Sequence, residues 1–143
     1  MFSVIAILTI VLLVIATICD LRTREIPDWI SIAIGLMAVV GSLTGLLDLS
    51  IQWVVAGGVV GLLIGYGLFR YARLGGGDAK LIASLGMLLG PVGILVLLFG
   101  MAVFGGVLAL IAIYRGQQDY AYAPAITAGF VWYVGFVSTV TGG

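Results

Sequence analysis

The sequence predicts an all-α, polytopic membrane protein with six transmembrane helices, and three observations carry that reading. Of 143 residues, 63% are hydrophobic and only 8% are charged, with mean hydropathy +1.32; a soluble domain carries about a quarter charged residues. The charges cluster, leaving charge-free stretches at 1–19, 29–47, 49–69, 81–114 and 120–143. One bilayer crossing needs about 20 apolar residues, so four of these stretches suit one crossing each. The stretch 81–114 is too long for one, and Gly90-Pro91-Val92-Gly93 interrupts it, because proline lacks the amide donor and glycine relaxes the backbone.

The helices are expected at 2–19, 29–47, 51–69, 79–90, 92–113 and 121–140, in one transmembrane domain spanning 1–143. The first has the length of a secretory signal but lacks a basic n-region. Ala16-Thr17-Ile18-Cys19 also matches neither an A-x-A site nor a lipobox, so a retained helix is expected. Pro27-Asp28 reads as the start of the second helix, with proline and an acid in the first turn. Gly57, Gly61 and Gly65 repeat every four residues on the third, as do the pairs Gly41/Gly45 and Gly86/Gly90. Small residues at that spacing let helix backbones approach closely in lipid, a packing role without chemistry. The fourth helix is short and is expected to start below the membrane surface or to tilt. Trp29, Trp53 and Trp132 read as interfacial-belt residues.

Basic residues set the orientation. With six crossings, the loops at 20–28, 70–80 and 114–120 share one side and hold all six Lys and Arg, while the loops near 48–50 and 90–93 hold none. Positive loops stay inside, so those three face the cytoplasm, both termini lie outside, and the inner (cytoplasmic) membrane is the expected location. Six cations balanced by six anions build no phosphate-neutralising face, which excludes charge-driven nucleic-acid binding. Disorder is excluded by the hydrophobicity.

The chain has no His, which rules out Ser-His and Cys-His nucleophile systems and His-ligated metal. Its one cysteine, Cys19, allows neither an internal disulfide nor a cysteine-built zinc site. Chemistry near neutral pH falls to Asp20, Glu25, Asp28, Asp48, Asp78 and Asp119. Two segments stand out: Cys19-Asp20-Leu21-Arg22-Thr23-Arg24-Glu25-Ile26-Pro27-Asp28-Trp29, and Leu74-Gly75-Gly76-Gly77-Asp78-Ala79-Lys80-Leu81. Asp20 closes the first helix and Asp78 opens the fourth on the same side, so packing helix one against helix four would bring them together. Three glycines free the backbone for φ > 0 and remove side-chain bulk, which suits close approach of an extended peptide. The same residues fit plainer roles. Asp78 suits an N-cap on helix four. Asp20 suits an interfacial charge near Arg22 or Arg24. Lys80, Arg70 and Arg73 suit anchors that snorkel to the interface. Asp48 reads as an outer loop or cap residue, and Asp119 as a weak partner of Arg115.

At these two segments the sequence resembles the type IV prepilin peptidase family, the GxGD class of intramembrane aspartic proteases. Gly75-Gly76-Gly77-Asp78-Ala79-Lys80 fits the family's G-x-G-D-x-K. Asp20 through Ile26-Pro27-Asp28 fits its helix-end Asp followed by basic and polar residues and an apolar-Pro-Asp/Asn. Tyr122-Ala123-Pro124 matches the start of its last helix. The resemblance implies Asp20 and Asp78 as the catalytic pair, with Gly75, Gly77, Lys80, Pro27 and Asp28 as motif or substrate-positioning residues. It implies no metal and no organic cofactor. Larger members carry a cysteine-bound zinc and an N-methyltransferase region; here helix one begins at once and only Cys19 is present, so peptidase activity is expected without methylation. The short form resembles the peptidases of tight-adherence (Flp) pilus systems, with preflagellin peptidases as close relatives. The implied partners are the lipid bilayer, a prepilin with a short basic leader ahead of an apolar helix, and pilus assembly machinery. The implied mechanism is that of two carboxylates sharing a proton, one activating water and the other polarising the scissile carbonyl.

Two rival readings follow from the composition. A small transporter or proton channel relays ions through intramembrane acids and predicts mid-helix carboxylates, which the long stretches lack. A structural assembly subunit needs no paired acids.

Overall fold

The computed structural model describes residues 2–72, 74–116 and 122–140. Five helices account for nearly all of them: α1 (Phe2–Thr23), α2 (Asp28–Leu43), α3 (Ile51–Ala72), α4 (Gly76–Tyr114) and α5 (Ala123–Val140). The protein is therefore all-α. Four of these helices, α1, α3, α4 and α5, are long and apolar enough to cross a membrane. With 16 residues, α2 is about 24 Å long, short of a hydrocarbon core about 30 Å thick.

Six spans are not what the described helices support, since four are long and apolar enough and α2 is short. The elements expected at 79–90 and 92–113 are the two helical arms of α4, which meet across a kink at Gly90 (φ 74, ψ 175). Gly90 adopts a left-handed φ that glycine accepts without a steric cost. Pro91 then opens the next helical arm, where its missing N–H is no loss, so the ladder resumes without a loop. The break turns the chain back on itself. Before it, Ala79, Ile82 and Gly86 lie against Gly65, Gly61 and Gly57 of α3; after it, Leu97 and Met101 lie against Gly129 of α5, and Gly105 lies against Ala125. Residues of the second arm also line a pocket with Ile64 and Leu68 of α3, so both arms reach the same level of α3.

Other boundaries differ for local reasons. Helix α1 continues past 19 to Thr23, so Asp20 lies in its last turn. Helix α2 stops at Leu43 rather than 47, because Thr44 caps it and Gly45 follows at φ 72, a common helix-ending arrangement. Gly45 thus serves a turn rather than a helix contact. Helix α4 starts at Gly76 rather than 79. Arg73 and Asp119, with its expected pairing to Arg115, lie outside the described residues. Asp48 is exposed in the segment between α2 and α3.

The core gathers Leu13, Ile34, Val54, Leu81, Leu85 and Phe130, all at most 1% exposed, while many large apolar side chains such as Ile7, Leu36, Leu63 and Leu110 point outward. An apolar exterior of this extent suits a lipid solvent. Trp29 and Trp53 sit in first turns, but Trp132 sits mid-α5, edge-on to Phe104 at 6.5 Å and over Gly100, so it packs arms together instead of marking an interface. Helix α4 packs on α2, α3 and α5, and α1 packs on α5 and α2. The expected packing of helix one against helix four does not occur: no Cα of α1 comes within 8 Å of one in α4.

Candidate active site

The two segments singled out by the sequence meet across a cavity of about 450 Å³. Asp20, Arg24, Glu25, Ile26 and Asp28 line one side; residues 75–78 line the other. Asp20 and Asp78 are thus brought to one space, although no Cα of either helix comes within 8 Å of one in the other. Both are buried, at 7% and 5% exposure, and the charge of Asp20 acts on Asp78 across the gap.

Asp78 is the third residue of α4, not its cap. Gly75 is the N-cap residue, and its N–H donates to Asp78 Oδ2 at 3.2 Å. That bond satisfies one donor at the helix start. Asp78 Oδ1, by contrast, is buried without a hydrogen-bond partner among the described residues. A buried carboxylate oxygen left unpaired costs free energy, and such exceptions call for an explanation; an oxygen facing a cavity that admits water or a peptide has one.

Asp20 is held differently. Its Oδ2 accepts the Ala123 N–H at 3.2 Å in a buried contact. Ala123 is the first residue of α5, so the carboxylate of α1 binds a free donor at another helix's N-terminus, where the dipole favours negative charge. Asp20 makes no ion pair with Arg22 or Arg24; Lys80–Asp28 is the one ion pair found among the described residues. The Tyr122-Ala123-Pro124 match placed Ala123 at the start of the last helix, but its bond to Asp20 comes from a backbone N–H, which no side-chain pattern reports.

The glycines act through absent bulk. None of Gly75, Gly76 and Gly77 has a positive φ, so the expected left-handed freedom is not used. A Cβ at Gly77 would lie 3.0 Å from Ile26 Cβ and 3.3 Å from Ile26 O, and one at Gly75 would lie 3.0 Å from Asp78 Oδ2; at Gly76 nothing lies within 4 Å. A Cβ would be tight at the first and third glycines and free at the middle one, which is the shape of G-x-G.

The opposing wall is set by the end of α1. Arg24 takes φ 59, an uncommon left-handed conformation for a residue with a Cβ, and its N–H bonds the Asp20 carbonyl at 3.0 Å. The turn delivers buried Ile26 beneath Gly77, and Pro27 then caps α2 with an extended backbone. Lys80 Nζ donates to both Asp28 oxygens at 2.9 Å, so it ties α4 to α2 and is not paired with Asp78. Among the described residues, no three His, Cys, Asp or Glu are grouped to hold a metal ion.

The model of the type IV leader peptidase family matches residues 7–110, which include both acids and the whole cavity. The chain belongs to that family. It is similar to a preflagellin peptidase from Methanococcus maripaludis, with 40% identity over 80 residues, or 53% of this chain and 34% of the relative. The chain spans about a third of the length of that curated relative. No solved structure matches it.

Proposed function

We propose that this chain is an aspartic endopeptidase that removes the short basic leader from type IV prepilin-type substrates, with Asp20 and Asp78 as its catalytic pair. The observation that carries the reading is one cavity bounded by two buried carboxylates, each with one oxygen engaged by a helix-terminal N–H. Two like charges in a shared, desolvated space favour one proton between them. The ionised acid takes a proton from water as the water attacks the scissile carbonyl; the protonated acid donates to the carbonyl oxygen. Reversal of these roles protonates the leaving amine.

In this reading the chain is a multi-pass protein of the inner membrane whose cavity opens to the cytoplasm. A basic leader is retained on the cytoplasmic side, so the bond at its border with an apolar helix reaches the acids. Gly75 and Gly77 keep the cavity wall thin, and Pro27 and Asp28 fix the opposite wall. No metal or organic cofactor takes part. Flp-type prepilin is the favoured substrate. A preflagellin-type substrate is the second reading, favoured by the named relative.

The test is leader cleavage by purified protein in lipid, with Flp-type prepilin and preflagellin offered separately and the cut mapped by mass spectrometry. Asp20→Asn and Asp78→Asn should each abolish processing while folded protein is retained. Near-normal processing by either variant removes that residue from the pair.

A further inference from the structure

A second concavity, about 540 Å³, runs along α2, α3 and the first arm of α4. Its walls include Ile32, Gly35 and Leu36 of α2, Leu62 of α3, and Ala83 and Met87 of α4. Asp28 belongs to this furrow and also to the catalytic cavity. The polar cavity and the apolar furrow are therefore neighbours that meet at Asp28, which Lys80 bonds. A third concavity, between α3, the second arm of α4 and α5, is also apolar and shares no residue with the catalytic cavity.

We infer that the furrow between α2 and the first arm of α4 seats the apolar helix of the substrate and thereby sets which bond enters the cavity. The inference rests on the peptidase reading and adds where the substrate's membrane segment is read. Charge and shape agree with this occupant. With one proton shared by Asp20 and Asp78 and Asp28 bonded by Lys80, Glu25 and the pair still outweigh Arg24 at the cavity end, and a net negative charge complements a basic leader. The furrow presents exposed Ile32, Leu36 and Leu62, with Gly35 and Ala83 small enough for a helix backbone to come close. Met87, whose Sδ lies 3.7 Å from a Cβ placed at Gly35, is a flexible floor that adapts to different side chains. Along α2 the furrow extends from Asp28 to Val39, about 16 Å of helix. That is roughly half of a hydrocarbon core about 30 Å thick. The substrate is thus read over about its first three helical turns beyond the cut, and the remainder of its helix is read by lipid alone.

The experiment uses the full chain in lipid vesicles with two substrates: a prepilin-type peptide carrying its apolar helix, and a peptide of the cleavage junction lacking that helix. Gly35→Leu projects into the furrow, and its Cβ meets only Met87 Sδ, at an ordinary contact distance of 3.7 Å. Gly106→Leu fills the unconnected third concavity, where nothing lies within 4 Å of the added Cβ. Gly35→Leu should lower kcat/KM for the helix-bearing substrate roughly tenfold, through KM, because uniform binding is lost. It should leave cleavage of the short peptide unchanged, and Gly106→Leu should leave both unchanged. Polar substitutions in the first ten or so residues of the substrate helix should slow cleavage, while those in its distal half should not. Equal cleavage of the long substrate by Gly35→Leu and wild type overturns the furrow and leaves the peptidase reading standing, as does loss confined to Gly106→Leu. Failure of wild type to cut either substrate overturns the peptidase reading and the furrow with it.

Discussion

The two candidate acids stand on mounts of opposite construction. Asp78 rises from the seam between α3 and the first arm of α4, where backbone meets backbone. A Cβ at Gly57 would overlap the Gly86 carbonyl oxygen, one at Gly61 would lie 2.7 Å from Ile82 O, and one at Gly65 would lie 2.9 Å from Ala79 O, one residue beyond the acid. Asp20 stands on α1, which meets α5 through side chains. Thr17 and Thr127 share a hydrogen bond of 2.8 Å, Thr127 also reaches Leu13 O at 3.3 Å, and Asp20 itself takes the Ala123 N–H. Close-packed backbone has few alternative arrangements, whereas a threonine pair re-forms readily when helices shift. The difference leaves Asp78 on a mount of close-packed backbone and Asp20 on one held by hydrogen bonds.

Breaking the seam should have the largest effect. Gly57→Val puts two methyl groups and a Cβ into the Gly86 backbone, a clash that rotamer changes do not relieve. The expected loss is about 3 kcal/mol or more, read as loss of folded protein or a lower midpoint of unfolding in detergent. Within the cavity, Gly77→Leu should act on activity more than on stability, since its side chain meets Ile26 on the opposite wall. Displacing that wall by an ångström should lower kcat/KM roughly 100-fold. Gly76→Ala, at an open position, should stay near wild type. Equal effects at 76 and 77 would show that the glycines matter for backbone freedom rather than for missing bulk. On the looser mount, Thr17→Val removes one partner of the threonine pair while Thr127 keeps its bond to Ala123 O at 2.9 Å. A loss of about 0.6 kcal/mol is expected.

Much of this was legible because it is carried by side chains or by their absence. The charge-free runs located α1 and α3 and marked both arms of α4, and the four-residue glycine spacing marked the α3 face that meets α4. The two motifs carrying Asp20 and Asp78 do share one cavity. What escaped is carried by backbone and by helix order. The Gly90-Pro91 break between two helical arms is real, but that it needs no loop is a backbone property, since the proline needs no donor in a first turn. Helix one was expected against helix four; instead α5 lies beside α1, and its first N–H holds Asp20. Hydrophobic runs fix which segments enter a membrane, but they do not fix which neighbour each selects, because lipid is as apolar as any partner.

The smallest effect belongs to the contact that joins the two walls at the surface. Lys80 and Asp28 are 58% and 62% exposed at their side chains, so solvent and salt screen their attraction. Their two-oxygen contact at 2.9 Å is worth about 0–1 kcal/mol. Lys80→Gln and Asp28→Asn, alone and together, should give a coupling within that range in unfolding measurements, shrinking as salt is raised. A coupling well above it, insensitive to salt, would mean that the pair is shielded from water in the bilayer and that the α2 wall is held as firmly as the α3–α4 seam. The contrast between a close-packed and a hydrogen-bonded mount would then apply to α1 alone.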